Sequence, residues 1–195
     1  MLNEKLGNYK IILASGSPRR QKFFADLGLE FEIRLKEIDE VFPPNLKASD
    51  ITDFLAKLKA DAFDGELAND EILVTSDTIV WHKGLALGKP KDYGDALAIL
   101  QSLSGAAHEV YTSVCFKTAY HTDIINDVTK VTFNRLTLQE IEYYLDACKP
   151  FDKAGAYGIQ DWIGLVGVRE ISGSYANVMG LPVDKVYAYF NTFGQ

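Results

Sequence analysis

Two adjacent arginines follow a Ser-Gly-Ser-Pro turn near the start of the chain, between Ser15 and Arg20. Ser17 suits the N-cap of a helix, and Pro18 suits the first helical position because its missing N–H is not needed there. Arg19 and Arg20 then fall in the first turn, where the helix dipole disfavours positive charge. A bound anion would offset that charge, since N-terminal N–H groups and arginine forks together bind phosphate. The alternative is an ordinary capped helix with solvated arginines.

The strongest strand signal of the chain, Glu71 to Trp81, is interrupted by the polar tetrapeptide 75–78, which includes the carboxylate of Asp77. A buried aspartate is costly unless it is paired with a cation or a metal. On a strand that faces a phosphate site, it could bind a divalent metal or orient an attacking water. The alternative is a strand end or a β-bulge that leaves Asp77 in solvent.

Two lysines are candidates for an inward-facing charge. Lys57 and Lys59 share a predicted helix but cannot face the same way at a spacing of two. Lys59 borders the apolar stripe and is the better candidate, while Lys57 is expected to be a solvated surface charge. Lys89 stands before Pro90 in a turn that could hold it rigidly, although exposed lysines are common in turns.

Three further segments could line a site. An acidic pair, Asp39-Glu40, lies in a loop ahead of Pro43, where a charged loop is usually just solvated. The segment 152–160 (DKAGAYGIQ) has small residues that allow close backbone approach to a ligand. The segment 173–182 forms a tight turn that enters the last helix.

The elements that must position these residues follow from periodicity and turn signals. Strands are predicted over residues 9–14, 31–35, 71–81, 108–118, 124–136 and 162–171. Helices are predicted from Ser17 or Pro18 to Leu27, from Ser49 as its cap, over 93–103, from a Thr137–Glu140 capping box, and from Pro182. Strands and helices alternate at first, and then two strands come in succession as a hairpin. We therefore predict one α/β (or α+β) layered domain over residues 1–195 with a mixed sheet.

Composition limits the function classes. The chain has 195 residues, of which 47% are hydrophobic, and a formal net charge of −7. That charge disfavours general binding to nucleic acid or anionic membranes. The two cysteines, Cys115 and Cys148, form no CxxC pattern and are expected to be reduced, and the first residues lack the apolar run of a signal peptide. A cytoplasmic location is the expectation.

Several common signatures are absent from the sequence. It contains no GxxxxGK[ST] loop, no GxGxxG after a strand and no HExxH. The histidines, His82, His108 and His121, have no metal-ligand spacing and are expected to be structural or superficial. A zinc site or a Ser-His-Asp hydrolase is therefore not expected.

Taken in order, the motifs resemble those of the Maf family of nucleotide pyrophosphatases. The resemblance covers residues 11–190 and depends on ASGSPRR, IDE, LAKLKADA, SDTIV, LGKP, the LSG-x-x-H-x-V-x-T segment, DKAGAYGIQ and GSYANVMGLP. It implies a twisted mixed sheet flanked by helices, with a cleft between two lobes, similar to the inosine triphosphate pyrophosphatases. It also implies a divalent metal, Mg²⁺ or Mn²⁺, and makes a homodimer plausible.

The resemblance also implies roles for individual residues. Asp77 matches the family's proton acceptor, and the positions around the phosphates and metal are matched by Ser15, Arg19, Arg20, Glu40, Lys59 and Lys89. Arg19, Thr78 and Gln160 match the three positions that mark the dTTP/UTP subgroup. A glutamine amide carries both a donor and acceptors to meet the one N–H and two carbonyls of uracil or thymine. Strong discrimination between those two bases is not expected.

The implied reaction is attack of water on the α-phosphorus, which yields the monophosphate and pyrophosphate. Whether Asp77 acts as a base or chiefly as a metal ligand stays open, and Glu40, the second metal candidate, has the same ambiguity. Two other functions also stay open. One is a nucleotide-binding regulator of cell division without turnover, and the other is an enzyme that removes modified or non-standard nucleotides.

Overall fold

The computed structural model describes residues 2–7 and 9–193. The strands of this part of the chain are β1 (Lys10–Leu13), β2 (Phe31–Ile33), β3 (Glu71–His82), β4 (Leu85–Leu87), β5 (Ala107–Lys117), β6 (Thr122–Phe133) and β7 (Val168–Ser172). Its α-helices are α1 (Leu2–Leu6), α2 (Pro18–Asp26), α3 (Ser49–Asp61), α4 (Tyr93–Leu103), α5 (Leu138–Cys148), α6 (Trp162–Gly167), α7 (Tyr175–Val178) and α8 (Val183–Thr192), with a 3₁₀ turn at Ala154–Ala156.

These seven described strands form one sheet in the order β2-β1-β3-β5-β6-β7, with β4 pairing with β3. The β1 strand is parallel to both β2 and β3, whereas β4 and β7 are antiparallel to β3 and β6. The sheet is therefore mixed, and the predicted α/β class is confirmed. None of the helices in the described ranges has both the length and the apolar character that a membrane span requires.

The chain is divided into two compact units, each assembled from separate segments. Of the described residues, the first unit holds those in 2–77, 112–127 and 180–193, and the second holds 78–111 and 128–179. The division falls within β3, between Asp77 and Thr78, and also within β5 and β6. The single domain over residues 1–195 stays a prediction.

In the first unit the sheet is buried on both faces. Successive residues of a strand point to opposite faces, so β1 and β3 contribute to two clusters. One cluster joins alternate strand residues to α2 and α8: Ile11, Leu13, Ile72, Val74, Phe24 and Phe190. The other joins the residues between them to α3: Ile12, Leu73, Ala56 and Ala60. Burial on both faces explains why parallel strands have continuous apolar sequences such as KIIL and EILV.

The second unit has a hydrophobic core of its own. Its buried cluster joins the strands to α4, α5 and α6 through side chains that include Val80, Leu100, Val131, Phe133, Tyr144 and Ile163. The predicted capping box at the start of α5 is confirmed, since the Glu140 N–H donates to Thr137 Oγ1 at 3.2 Å and the Thr137 N–H donates to Glu140 Oε2 at 2.7 Å.

The prediction of a strand over residues 162–171 is wrong in its first half. Residues 162–167 form α6, and only the part from Val168 onward is the strand β7. Ile163 and Gly167 are buried, whereas Leu165 is 80% exposed, so burial recurs at a spacing of four rather than two. A short apolar run does not distinguish a helix from a strand by itself, and here packing decides.

Ser49 is not the cap of its helix, contrary to the prediction. The N-cap is Ala48, with a φ of 50°, and Ser49 is the first helical residue. The N–H groups of Asp50 and Ile51 donate to the carbonyls of Lys47 and Ala48, at 3.0 and 3.2 Å. Backbone carbonyls thus accept the hydrogen bonds of N–H groups that a capping serine hydroxyl would otherwise satisfy.

Candidate active site

The turn from Ser15 to Arg20 connects β1 to α2, as predicted. Ser17 occupies the N-cap and Pro18 opens the helix, but the Ser17 side chain makes no cap hydrogen bond to any described residue. The Ser15 hydroxyl instead accepts the Ser17 N–H at 3.3 Å and Arg20 Nη1 at 3.4 Å. Ser15 is only 6% exposed, so this contact fixes the turn from the inside.

Arg20 is held by the backbone of two other segments. Its Nε donates to the Gly180 carbonyl at 2.8 Å, and its Nη1 donates to the Ser76 carbonyl at 3.0 Å. Burial lowers the pKa of Arg20 from its ordinary value, Asp77 and Glu40 oppose that effect, and Arg19 adds to it. An arginine nevertheless stays protonated in a protein. The alternative of a freely solvated side chain is wrong for Arg20, which brings a fixed positive charge beside Asp77.

Asp77 lies inside the continuous strand β3 and its side chain is 8% exposed, so the alternative of a solvated strand end is wrong. The Lys59 Nζ donates to Asp77 Oδ1 at 2.7 Å and lies 3.0 Å from Glu40 Oε1. The Lys59 side chain is 16% exposed, whereas that of Lys57 is 53% exposed and pairs with Asp61. The predicted difference between the two lysines is confirmed.

The spacing of residues along β3 and α3 explains why Lys59 and Asp77 form this ion pair. Thr75 and Asp77 lie on one face of β3 because they are two residues apart. Ala56 and Lys59 lie on one face of α3 because they are three residues apart. The Thr75 hydroxyl donates to the Ala56 carbonyl at 2.6 Å, next to the contact between Lys59 and Asp77. The two contacts together orient the Asp77 carboxylate.

Six of the predicted site residues belong to the first unit, and the structure brings five of them together directly: Ser15, Arg20, Glu40, Lys59 and Asp77. The sixth, Arg19, lies near enough for its positive charge to help lower the pKa of Arg20. This group combines a helix N-terminus, fixed cations and a buried carboxylate. Such an arrangement can bind a phosphate group and activate a water molecule to attack it.

The other three predicted residues, Thr78, Lys89 and Gln160, belong to the second unit, and their roles stay predictions. Thr78 is half-buried, whereas Lys89 and Gln160 are exposed. The turn that carries Lys89 is tied to the segment that carries Gln160, since the Gly155 N–H donates to the Gly88 carbonyl at 3.0 Å.

Gly155 has the close backbone approach that its small size permits. Its φ is 68°, and a Cβ there would lie 2.6 Å from Val80 Cγ2. A larger residue at this position would be strained and would also collide with the sheet.

Sequence reasoning missed the groups that hold the site in place. The carbonyls of Ser76 and Gly180 anchor Arg20, but every residue has a carbonyl and no sequence signal marks these two. Thr75 did carry a signal, since a buried threonine in an apolar strand needs a partner for its hydroxyl.

Two carboxylates, from Glu40 and Asp77, converge on the Lys59 ammonium at 3.0 and 2.7 Å. No group of three or more His, Cys, Asp or Glu side chains among the described residues is arranged to hold a metal. Mg²⁺ does not require such a group, because it is commonly bound by one or two carboxylates together with substrate phosphates and water. The donor set therefore fits a hard divalent cation of this kind.

Fold and site together define a mixed α/β protein in which a turn with two arginines at a helix N-terminus lies beside a buried carboxylate. A family model described as "Maf-like protein" matches residues 10–193. The chain belongs to the Maf-like protein family, and the resemblance found in the motifs is confirmed.

Similar proteins cover almost the whole chain. The chain is 65% identical over 189 residues to a dTTP/UTP pyrophosphatase of Flavobacterium psychrophilum, with 97% of each chain covered. It is 62% identical to a protein of the same name from Flavobacterium johnsoniae, with 98% and 99% covered, and 54% identical to one from Christiangramia forsetii, with 96% and 95% covered. Among solved structures, the Ham1 protein of Staphylococcus aureus matches with a TM-score of 0.48 at 12% identity, over 92% of this chain and 98% of that one.

Proposed function

We propose that this protein hydrolyses nucleoside triphosphates to the monophosphate and pyrophosphate, with dTTP and UTP as its substrates. The observation that carries the proposal is the buried Asp77 carboxylate, held at 2.7 Å by Lys59 and bordered by the fixed Arg20. The relatives named dTTP/UTP pyrophosphatase support the reaction and the pyrimidine substrates.

In the proposed reaction a water molecule attacks the α-phosphorus. The bond between that phosphorus and the bridging oxygen breaks, pyrophosphate leaves with the bond electrons, and the proton of the water passes to Asp77 as base. Arg19, Arg20, Lys59 and Lys89 would stabilise negative charge on the phosphates and leaving group. Ser15 would hold the turn that presents the N-terminus of α2 to the phosphates.

A divalent cation, Mg²⁺ or Mn²⁺, would be held by Glu40 and Asp77 and would neutralise phosphate charge. In the structure the Lys59 ammonium lies between these two carboxylates. Lys59 therefore offsets their mutual repulsion and keeps both pointing toward one place. Its charge would also contact a phosphate that approaches the same carboxylates.

Base selection is proposed for Arg19, Thr78 and Gln160. The exposed Gln160 amide could donate to a carbonyl of uracil or thymine and accept from its N–H. Arg19 would then serve both the phosphate and the base, while Arg20 would serve the phosphate only. A cytoplasmic location and a homodimer are part of the same proposal.

The decisive experiment measures monophosphate and pyrophosphate release from a panel of natural and modified nucleotides with Mg²⁺ or Mn²⁺. The parent is compared with Asp77→Asn and with Asp64→Asn, a control that makes the same change in a side chain that is 66% exposed. We expect pyrimidine turnover that falls by about 100-fold or more in Asp77→Asn and is unchanged in Asp64→Asn.

Each rival reading has its own outcome. Binding without turnover of any triphosphate would favour the regulator. A clear preference for modified nucleotides would favour the enzyme that removes them. Preference for a purine triphosphate would contradict the role of Gln160 and leave the reaction class intact.

A further inference from the structure

Gln160 lies at the end of an irregular segment that hydrogen bonds to a neighbouring helix hold in place. Within 154–156 the chain has two residues with positive φ, Gly155 at 68° and Ala156 at 56°. No regular strand or helix covers residues 157–161. The Asp161 N–H donates to the Gly158 carbonyl at 3.0 Å and closes a turn around Gln160, and hydrogen bonds from other elements of the second unit add to this one.

The Tyr144 hydroxyl supplies that support from α5. It accepts the N–H of Gly158 at 2.9 Å and donates to Asp161 Oδ2 at 2.9 Å. These two partners lie on either side of Gln160 in the sequence, so a single hydroxyl holds the segment before and after it. The Tyr144 side chain is fully buried, with its ring in the core of the second unit.

The amide of the exposed Gln160 side chain lies near the same groups. A Cβ on Gly158 would lie 2.5 Å from Asp161 Oδ2 and 2.9 Å from the Gln160 amide nitrogen. The amide nitrogen therefore lies close to the α-carbon of Gly158, the residue whose N–H donates to Tyr144. A displacement of Gly158 or Asp161 would move or free the amide.

The Tyr144 hydroxyl keeps its proton in this arrangement. The Lys153 ammonium, on a side chain that is 13% exposed, lies 4.0 Å from Asp161 Oδ2. Burial raises the pKa of Tyr144, and Asp161 raises it further, against the opposing effect of the Gly158 N–H. The hydroxyl thus stays protonated and continues to donate.

We propose that Tyr144 is a positioning residue for base selection, which acts by holding Gly158 and Asp161 so that Gln160 presents its amide in one orientation. The inference rests on the proposed function, in which Gln160 reads the base. It adds a residue of the core to the residues that set specificity.

Tyr144→Phe keeps the buried ring and removes both hydrogen bonds. We expect the KM for dTTP and UTP to rise by about fivefold to tenfold, with kcat within about threefold of the parent. The ratio of kcat/KM between pyrimidine and purine triphosphates should fall by a similar factor. Asp161→Asn, which can still accept from the hydroxyl, should restore most of the selectivity lost in Asp161→Ala.

Two controls separate positioning from stability. Tyr143→Phe makes the same change on the same helix in a side chain that is 55% exposed, and should match the parent. Tyr157→Phe removes a buried hydroxyl that lies 2.7 Å from His108 Nε2, and should lower the thermal midpoint without changing the base ratio.

A double-mutant cycle with Gln160→Ala gives the sharpest result. If Tyr144 acts through Gln160, Tyr144→Phe should have no further effect on the base ratio once Gln160 is alanine. An unchanged ratio in Tyr144→Phe, or fully additive effects in the cycle, would overturn the inference. Dissociation constants for non-hydrolysable UTP and GTP analogues give the same ratio without turnover, so failure of the proposed reaction would be seen separately.

Discussion

At the scale of single residues, Lys59 makes two ion pairs within the candidate site. Its ammonium contacts both Asp77 and Glu40, while its side chain is largely removed from solvent. The ammonium is thereby fixed, because two carboxylates at about 3 Å restrict its rotamers more than a surface partner would. A cation held in this way can stabilise developing charge without reorganisation.

Lys59→Met should lower kcat/KM for dTTP by about 100-fold, since methionine keeps the apolar stem but removes the charge. The matched control is Lys57→Met, two residues away and exposed, which should stay within about twofold of the parent and within about 0.5 kcal/mol of its free energy of unfolding. Pyrophosphate release and thermal unfolding measure the two effects. A folded Lys59→Met protein with the parent's activity would contradict the role of the ammonium.

At the scale of the elements, an ion pair away from the candidate site joins the end of β2 to the start of β3. Arg34, which follows β2, makes contacts of 2.9 and 3.2 Å with the two carboxylate oxygens of Glu71, the first residue of β3. Since β1 lies between β2 and β3 in the sheet, this bidentate pair reaches across β1. It ties the sheet edge to the strand that carries Asp77.

The pair predicts a pH dependence of stability. The hydrogen bond from Arg34 lowers the pKa of Glu71 below its ordinary 4.5, burial opposes this, and the Ala68 N–H adds to the lowering. A carboxylate whose folded pKa is depressed stabilises the protein above pH 4.5, and this contribution is lost as the pH falls through the folded pKa.

Glu71→Gln should therefore destabilise the protein at pH 7 by about 1 kcal/mol, a value reduced because Arg34 is partly exposed. The difference from the parent should shrink as the pH falls below 4.5. Urea denaturation at a series of pH values measures it. Glu32→Gln is the control, since Glu32 also pairs with Arg34 but its side chain is 61% exposed. A difference that stays constant down to pH 3 would contradict the linkage.

At the scale of the whole molecule, the reactivity of the two cysteine thiols shows whether the packing around them is intact. Cys115 is buried in β5, whereas Cys148 at the end of α5 is half-buried, and both are free thiols. Burial raises the pKa of Cys115 to about 11, and Asp61 acts in the same direction. The Cys115 thiol is therefore both inaccessible and almost fully protonated near neutral pH.

At pH 8 a thiol-specific reagent such as Ellman's reagent should modify Cys148 and leave Cys115 unmodified in the native protein. Both should react in about 6 M guanidinium, because the unfolding midpoints of ordinary domains lie below about 5 M. Cys148→Ala should abolish the native reaction. Rapid native modification of Cys115 would instead indicate that its unit opens readily.

The sequence by itself determined most of the elements and the identity of the family. Turn residues and capping patterns are local, so both ends of α4, the start of α5 and the ends of α2 to within one residue could be predicted from the sequence. The same holds for the choice of Lys59 over Lys57, which follows from helical spacing alone. The motifs at Ser15–Arg20 and around Asp77 carried the resemblance because their residue types are rare in that order.

Only the tertiary structure decided what holds these residues in place. The short apolar run at 162–167 is a helix because of what it packs against, and the same six residues could have continued a strand. The contacts of Arg20 with the Ser76 and Gly180 carbonyls, and of Tyr144 with Gly158 and Asp161, join segments that are distant in the chain. Backbone partners carry no residue signature, so long-range positioning of this kind becomes visible only once the chain is folded.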